Sequence, residues 1–123
     1  MTDIAIDELA ARLGELAVLD VRRPEEYDGS FGSACDPRQG HIPGAVNLSV
    51  EELMVLSDDE VRTRLGLPDG AEIVAYCHSG SRSAHAVQIL QRLGYSPRNY
   101  PGSWHEWSRT ELPIEGEVPE CSV

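Results

Sequence analysis

One stretch of the sequence limits the possible folds more than any other, namely an apolar run, a polar loop and an amphipathic segment within residues 72–93. Glu72–Tyr76 reads EIVAY, which is typical of a buried strand. Arg82–Leu93 has its apolar residues on one helical face, and a glycine follows it as a helix end. A further strand is predicted at Pro97–Tyr100. A strand, a helix and a second strand in this order indicate a parallel sheet with helices on its faces.

The rest of the chain continues this alternation of short strands and helices. Further strands are predicted at Ala17–Val21 and Val46–Leu48, after a short extended segment at Ile4–Ile6. We therefore expect one α/β domain over residues 1–114, followed by a short flexible tail at 115–123. The predicted helices are Glu8–Leu13 with Asp7 as N-cap, Pro24–Tyr27, two helices after the capping boxes Ser49/Glu52 and Ser57/Glu60, and a segment holding Trp104 and Trp107.

Composition excludes several classes of function. The 123 residues carry a net charge of −11, which argues against nucleic acid or an anionic membrane as a partner. All ten basic residues are arginine, so Schiff-base and P-loop lysine chemistry are excluded. No apolar stretch is long enough for a membrane span. Three unevenly spaced cysteines do not suggest a disulfide framework, so we expect a reduced, cytoplasmic protein.

The loop between the predicted strand and helix has the composition of an anion-binding cradle. It reads Cys77-His78-Ser79-Gly80-Ser81-Arg82-Ser83, and in parallel sheets ligands bind at this end of the strands. Backbone N–H groups, including that of His78, and the helix dipole would face an anion, and Gly80 allows a positive φ. The three serines offer hydroxyl donors, and Arg82 adds a permanent charge.

Cys77 lies at the start of this cradle, where its thiolate would be stabilised. A thiolate is the nucleophilic form of cysteine, so the pattern predicts a reactive residue. The alternative is that Cys77 is a small buried apolar residue, as isolated cysteines after strands often are. The glycine, the serines and the arginine together favour the nucleophile.

Four segments of the chain carry a family resemblance. LDVRRPEEY (19–27), GHIPGAVNL (40–48), CHSGSRS (77–83) and NYPGSWHEW (99–107) together resemble a rhodanese domain, in the family's order. The resemblance spans roughly residues 4–119. It is greatest to the catalytic C-terminal domain of the tandem thiosulfate sulfurtransferases, and it leaves no counterpart here for their non-catalytic half. It implies a three-layer sandwich with a parallel sheet of about five strands and helices on both faces.

The resemblance also implies a reaction. Cys77 would take the outer sulfur of thiosulfate as a persulfide and pass it to cyanide or to a thiol, without a metal or an organic cofactor. Arg82 favours thiosulfate over 3-mercaptopyruvate as donor, because enzymes for the latter typically lack this arginine. One alternative is a persulfide relay module that serves a partner protein's thiol. A cysteine phosphatase or arsenate reductase is less favoured, because phosphatase loops have one more residue between cysteine and arginine.

Residues outside the loop have weaker predictions. Asp20 and Arg22 could support the cysteine loop, although an ion pair of Arg22 with Glu25 or Glu26 is favoured. Trp104 could form a wall beside the sulfur, although core packing is favoured, as it is for Trp107.

Two further thiols and two histidines complete the candidates. Cys35 could accept the sulfur or form a disulfide with Cys77, but an incidental loop cysteine is favoured. Cys121 could resolve a persulfide from the tail, but an inert thiol is favoured. His41 is expected to be a hydrogen-bonded structural residue. His85 could add positive charge near the site or simply lie on the helix surface.

Overall fold

A computed structural model describes residues 3–32, 34 and 36–116 of the chain. Its elements alternate along the sequence, as the hydrophobic pattern predicts. In chain order they are α1 (Ile6–Ala11), β1 (Ala17–Asp20), α2 (Pro24–Asp28), β2 (Val46–Asn47), α3 (Val50–Val55), α4 (Asp58–Leu65), β3 (Glu72–Tyr76), α5 (Ser81–Arg92), β4 (Ser96–Asn99) and α6 (Ser103–Trp107).

The strands form one parallel sheet in the order β2-β1-β3-β4. The predicted α/β class and parallel sheet are confirmed, but the described residues form a sheet of four strands rather than about five. The place of a fifth strand is taken by a single parallel bridge between Asp3 and Asn99. The backbone N–H of Ile4 donates to Asn99 O at 2.9 Å. Because α1 begins two residues later, the pairing cannot continue as a strand beyond this point.

Side chains alternate across the sheet and pack into two core clusters, one on each face. In β1, Leu19 packs into the cluster formed with α3, α4 and α5, whereas Val18 packs into the cluster formed with α1 and α6. In β3, Ile73 packs into the first of these clusters and Val74 into the second. This period of two is the geometry of a strand that is buried on both faces, and it produces the three-layer sandwich.

Helix starts follow the local signals in most places. Both predicted capping boxes are present, with Ser49 and Ser57 each accepting a hydrogen bond from the backbone N–H three residues on. The prediction for α1 is wrong, because Asp7 lies inside the helix and Ala5 is the N-cap without a side-chain hydrogen bond. The bridge at Asn99 fixes the chain just before this point, so tertiary pairing sets the helix start.

The end of the described chain docks against the loop before β2. Glu115 forms an antiparallel bridge with His41, with N–H···O distances of 2.7 and 2.9 Å. The docked segment therefore extends past residue 114, where we placed the domain end. The rest of the predicted tail, including Cys121, lies outside the described residues. Among the described residues, no helix is both long and apolar enough to cross a membrane.

Candidate active site

The cysteine loop lies at the carboxyl end of β3. It is hydrogen-bonded to the segment that begins α6. The backbone N–H of Cys77 donates to Ser103 Oγ at 3.1 Å. In return, Cys77 O accepts from the backbone N–H of Trp104, and His78 O accepts from that of His105, both at 2.9 Å. Three hydrogen bonds therefore fix the backbone at Cys77 and at the residue after it.

Several hydrogen-bond donors converge on the sulfur of Cys77. The backbone N–H of Gly80 lies 3.1 Å from Sγ, and the backbone N–H and hydroxyl of Ser83 lie at 3.4 and 3.5 Å. Burial by itself raises the pKa of the Cys77 thiol. The donors from Ser83, Gly80 and the Ser79 backbone outweigh burial and leave this pKa below its usual value. The loop thus favours the thiolate, the form that attacks an electrophilic sulfur.

Two residues in unusual backbone conformations shape the cradle. Gly80 has a φ of +102°, and a Cβ placed there would lie 2.9 Å from Pro101 O. Ser103 has a φ of +54°, which non-glycine residues seldom adopt, and its hydroxyl donates to Tyr100 O at 2.9 Å. The strain at Ser103 is offset by its two hydrogen bonds, and it places Oγ under the Cys77 backbone.

Gly80→Ala should destabilise the fold. We expect a loss of about 2–3 kcal/mol, because alanine at this φ is strained and its Cβ meets the Pro101 carbonyl. Urea unfolding measures the loss. Gly66→Ala is the matched control, since Gly66 has a φ of +65° but open space around a Cβ, so its cost should stay near 1 kcal/mol. An equal loss in the free energy of unfolding at both positions would show that the contact with Pro101 does not add to the cost of Gly80→Ala.

Arg82 is turned toward α2 rather than toward the sulfur. Its guanidinium forms two hydrogen bonds with Glu26, at 3.0 and 3.4 Å. Burial raises the pKa of Glu26, but Arg82 and the Arg23 backbone lower it by more, so the carboxylate is favoured. Arg82 thereby links the start of α5 to α2. The Glu26 carboxylate partly neutralises its charge, which weakens the attraction of Arg82 for an anionic ligand.

Asp20 and Arg22 form a buried ion pair at the carboxyl end of β1. Arg22 Nη2 lies 2.7 Å from Asp20 Oδ2 and 2.6 Å from Gly40 O, and both side chains are almost completely buried. The prediction that Arg22 pairs with Glu25 or Glu26 is therefore wrong. Residues two apart in an extended chain point to the same side, so strand geometry selects Asp20. The Tyr76 hydroxyl donates to Asp20 Oδ2 at 2.7 Å and extends the network toward β3.

The remaining loop residues differ in their surroundings. Ser79 and Ser81 are exposed at the loop surface. The His78 ring contacts Asp36, with Nε2 2.9 Å from Oδ2, although we expected its backbone to matter more than its ring. His85 is exposed on α5. His41 stacks on Tyr27 with ring centroids 3.8 Å apart, and its Nδ1 lies 2.8 Å from Tyr27 O, which confirms a structural histidine.

Trp104 is fully buried, in agreement with core packing. Its indole N–H donates to Arg38 O at 3.0 Å, and the Arg22 guanidinium lies over its ring at 5.0 Å. Its link to the loop is the backbone hydrogen bond to Cys77. Trp107 is also buried and donates to Pro113 O at 3.0 Å. Cys35 lies outside the described residues, so its proposed role in sulfur transfer stays a prediction.

Three residues have roles in the site that the sequence did not predict. Glu26 binds Arg82, Ser103 supports the Cys77 backbone, and Asp36 contacts the His78 ring. The turn Pro101-Gly102 just before Ser103 is a local signal of an unusual backbone at that point. Asp36 lies in a polar loop without regular periodicity and has no such signal. Asp36, His78 and His105 together bring three potential metal ligands beside the loop.

Comparisons with known proteins match this architecture. Residues 5–110 match the family described as "Rhodanese-like domain". The thiosulfate sulfurtransferase of Azotobacter vinelandii is 39% identical over 122 residues, covering 89% of this chain and 44% of that protein. The sulfur carrier protein TtuD of Thermus thermophilus is 35% identical over 126 residues, covering 85% of this chain and 42% of that protein.

A solved structure supports the same assignment. A crystal structure described as "Probable Thiosulfate Sulfurtransferase" superposes with a TM-score of 0.81 at 44% sequence identity, covering 92% of this chain and 47% of that one. The chain thus spans less than half the length of each of these relatives.

Proposed function

Because the chain belongs to the rhodanese-like domain family, we propose that it is a sulfurtransferase that carries sulfane sulfur on Cys77, with thiosulfate as donor and cyanide or a thiol as acceptor. The observation that carries this proposal is the set of donors around the sulfur, from Gly80 and Ser83. These donors favour the thiolate form of Cys77 itself, so that its attack on the outer sulfur of a donor needs no prior proton transfer.

The reaction divides into two substitutions at sulfur. The Cys77 thiolate attacks the outer sulfur of thiosulfate, the sulfur–sulfur bond of the donor breaks, and sulfite leaves with the electron pair. Cyanide or a thiolate then attacks the outer sulfur of the Cys77 persulfide. Thiocyanate or a new persulfide is released, and the Cys77 thiolate returns with the electron pair. No net change of oxidation state occurs in the protein over the cycle, as a ping-pong scheme requires.

Access to the sulfur requires motion of the site. The Cys77 residue is 0% exposed in this structure, so a donor reaches Sγ only after covering groups move. The Arg82–Glu26 ion pair joins α5 to α2 and is partly open to solvent. Breaking this pair would free the Arg82 guanidinium for the anionic end of thiosulfate. The free energy needed to break a solvent-accessible ion pair is small.

Sulfur uptake by the unmodified chain tests the proposal. Thiosulfate should add one sulfur atom to the protein, as measured by intact mass, and cyanide should remove it and yield an equal amount of thiocyanate. The control is hydrolysis of an aryl phosphate, which we expect to be absent. Phosphate ester hydrolysis without sulfur uptake would replace this proposal with a cysteine phosphatase.

A relay to a protein thiol is a second candidate, favoured by two observations. One relative is named a sulfur carrier protein, and the chain has a net charge of −11. Such a charge repels a small dianion at long range and attracts a basic protein surface. Slow transfer from the loaded protein to cyanide, with fast transfer to a protein thiol, would favour the relay over the small-molecule enzyme.

A further inference from the structure

We propose that Asp36, His78 and His105 form a binding site for a divalent transition-metal ion of the Zn²⁺ type, beside the cysteine loop. One carboxylate oxygen and two imidazole nitrogens, all within 4.8 Å of one another, converge there from three separate segments of the chain. This proposal does not rest on the sulfurtransferase activity, and its test does not measure sulfur transfer.

The spacing of the donor atoms is close to that of a metal coordination sphere. Asp36 Oδ1 lies 3.2 Å from His78 Nε2 and 3.8 Å from His105 Nδ1. With metal–ligand bonds of about 2.0–2.2 Å, neighbouring donors in tetrahedral or octahedral sites are separated by about 3.0–3.5 Å. Small side-chain adjustments are enough to bring all three donors to one ion. The two imidazole rings meet edge to face, with centroids 5.6 Å apart.

The Asp36 carboxylate is the buried member of this cluster. Its side chain is 1% exposed, its Oδ1 accepts from Arg109 Nη1 at 3.0 Å, and its Oδ2 lies 2.9 Å from His78 Nε2 in a contact that lacks hydrogen-bond geometry. A buried carboxylate needs positive charge beside it, and a divalent cation would supply that charge in place of Arg109. His105 is half-exposed, so solvent water could complete the coordination of an ion held by Asp36.

The donor set indicates which ion would bind. Two imidazole nitrogens and one carboxylate suit borderline ions such as Zn²⁺, whereas Mg²⁺ and Ca²⁺ prefer sites made of oxygen. The ion would connect the Asp36 loop, the cysteine loop and α6. Because His78 directly follows Cys77, occupancy of the site would stiffen the loop that carries the nucleophile.

Arg109 competes with a metal for the same donors. Its Nη1 lies 3.0 Å from Asp36 Oδ1 and 3.3 Å from His105 Nδ1. A guanidinium and a divalent cation repel each other at such distances, so Arg109 must withdraw before an ion binds. Removing its charge should therefore strengthen metal binding, an effect that a purely structural role of the cluster would not produce.

Calorimetric titration with Zn²⁺ tests the site in the full chain carrying Cys35→Ser, Cys77→Ser and Cys121→Ser, so that no thiol binds the ion. We expect one saturable site. His105→Ala and His78→Ala should each weaken it by about tenfold or more. Arg109→Met should tighten it severalfold. His85→Ala is the matched control and should change nothing, because His85 lies on α5 away from the three donors.

Two results would overturn the site. One is the absence of saturable Zn²⁺ binding in a chain whose circular dichroism shows it to be folded. The other is affinity that survives His105→Ala unchanged, which would place the ion elsewhere. His105 is half-exposed, so its substitution should leave folding intact and keep the test decisive.

Discussion

We expect the Cys77→Ser variant to lose thiosulfate-dependent sulfur transfer by on the order of a thousandfold or more, because the nucleophile itself is removed. Serine fits the same space, and the donors from Gly80 and Ser83 remain in place. Its hydroxyl is not ionised near neutral pH, however, and its oxygen does not form a persulfide. Thiocyanate formation measures the rate, and intact mass measures the sulfur bound to the protein.

The other two cysteines provide the matched controls for this result. Cys35→Ser and Cys121→Ser should each keep both the sulfur label and the rate of thiocyanate formation. A label that persists in Cys77→Ser would assign the carrier role to another thiol. Loss of transfer in Cys35→Ser, with the label on Cys77 intact, would instead make Cys35 an acceptor in a relay.

The second large effect concerns stability. Arg22→Leu should lower the free energy of unfolding by about 3–5 kcal/mol, because it leaves the Asp20 carboxylate buried without its cation. Burial lowers the pKa of Arg22, but Asp20 raises it by more, so the guanidinium stays charged in the fold. The substitution also removes the hydrogen bond to Gly40 O and the contact over Trp104. Urea unfolding measures the change in midpoint, provided the slope is unchanged.

An exposed ion pair provides the comparison. Arg64 lies 3.3 Å from Glu52, and both side chains are substantially exposed to solvent. Arg64→Met should therefore cost no more than about 1 kcal/mol. If Arg22→Leu costs as little as Arg64→Met, the buried pair does not hold the sheet to the loop before β2, and another contact must do so.

Much of the fold could be predicted from local patterns. Glu72–Tyr76 and the amphipathic helix after the cysteine loop are found as expected, and so are both serine capping boxes. Each of these features depends on side chains within a few residues of one another. Where a distant segment intervenes, the prediction fails, as at α1, whose start is set by pairing with Asn99.

The site shows the same division. The loop sequence predicts a positive φ at Gly80 and backbone N–H groups that turn inward, and the structure has both. The loop predicts that Arg82 faces an anion, but Glu26 of α2 binds it instead. The pairing of Arg22 with Asp20 was open to prediction, since both residues continue one extended segment and share a side. The prediction of Glu25 or Glu26 as the partner of Arg22 assumed helical spacing, which does not apply at the end of a strand.

By itself, the sequence determined the order of strands and helices and the positive φ of Gly80 in the loop after Cys77, because hydrophobic period, turn residues and capping act over a few residues. Four short motifs carried the rhodanese resemblance. Only the tertiary structure decided which distant groups meet. Glu26 and Arg82 are 56 residues apart, and Asp36 and His78 are 42 apart. Such pairs form because the parallel crossovers bring separate loops to one edge of the sheet, which no local pattern encodes.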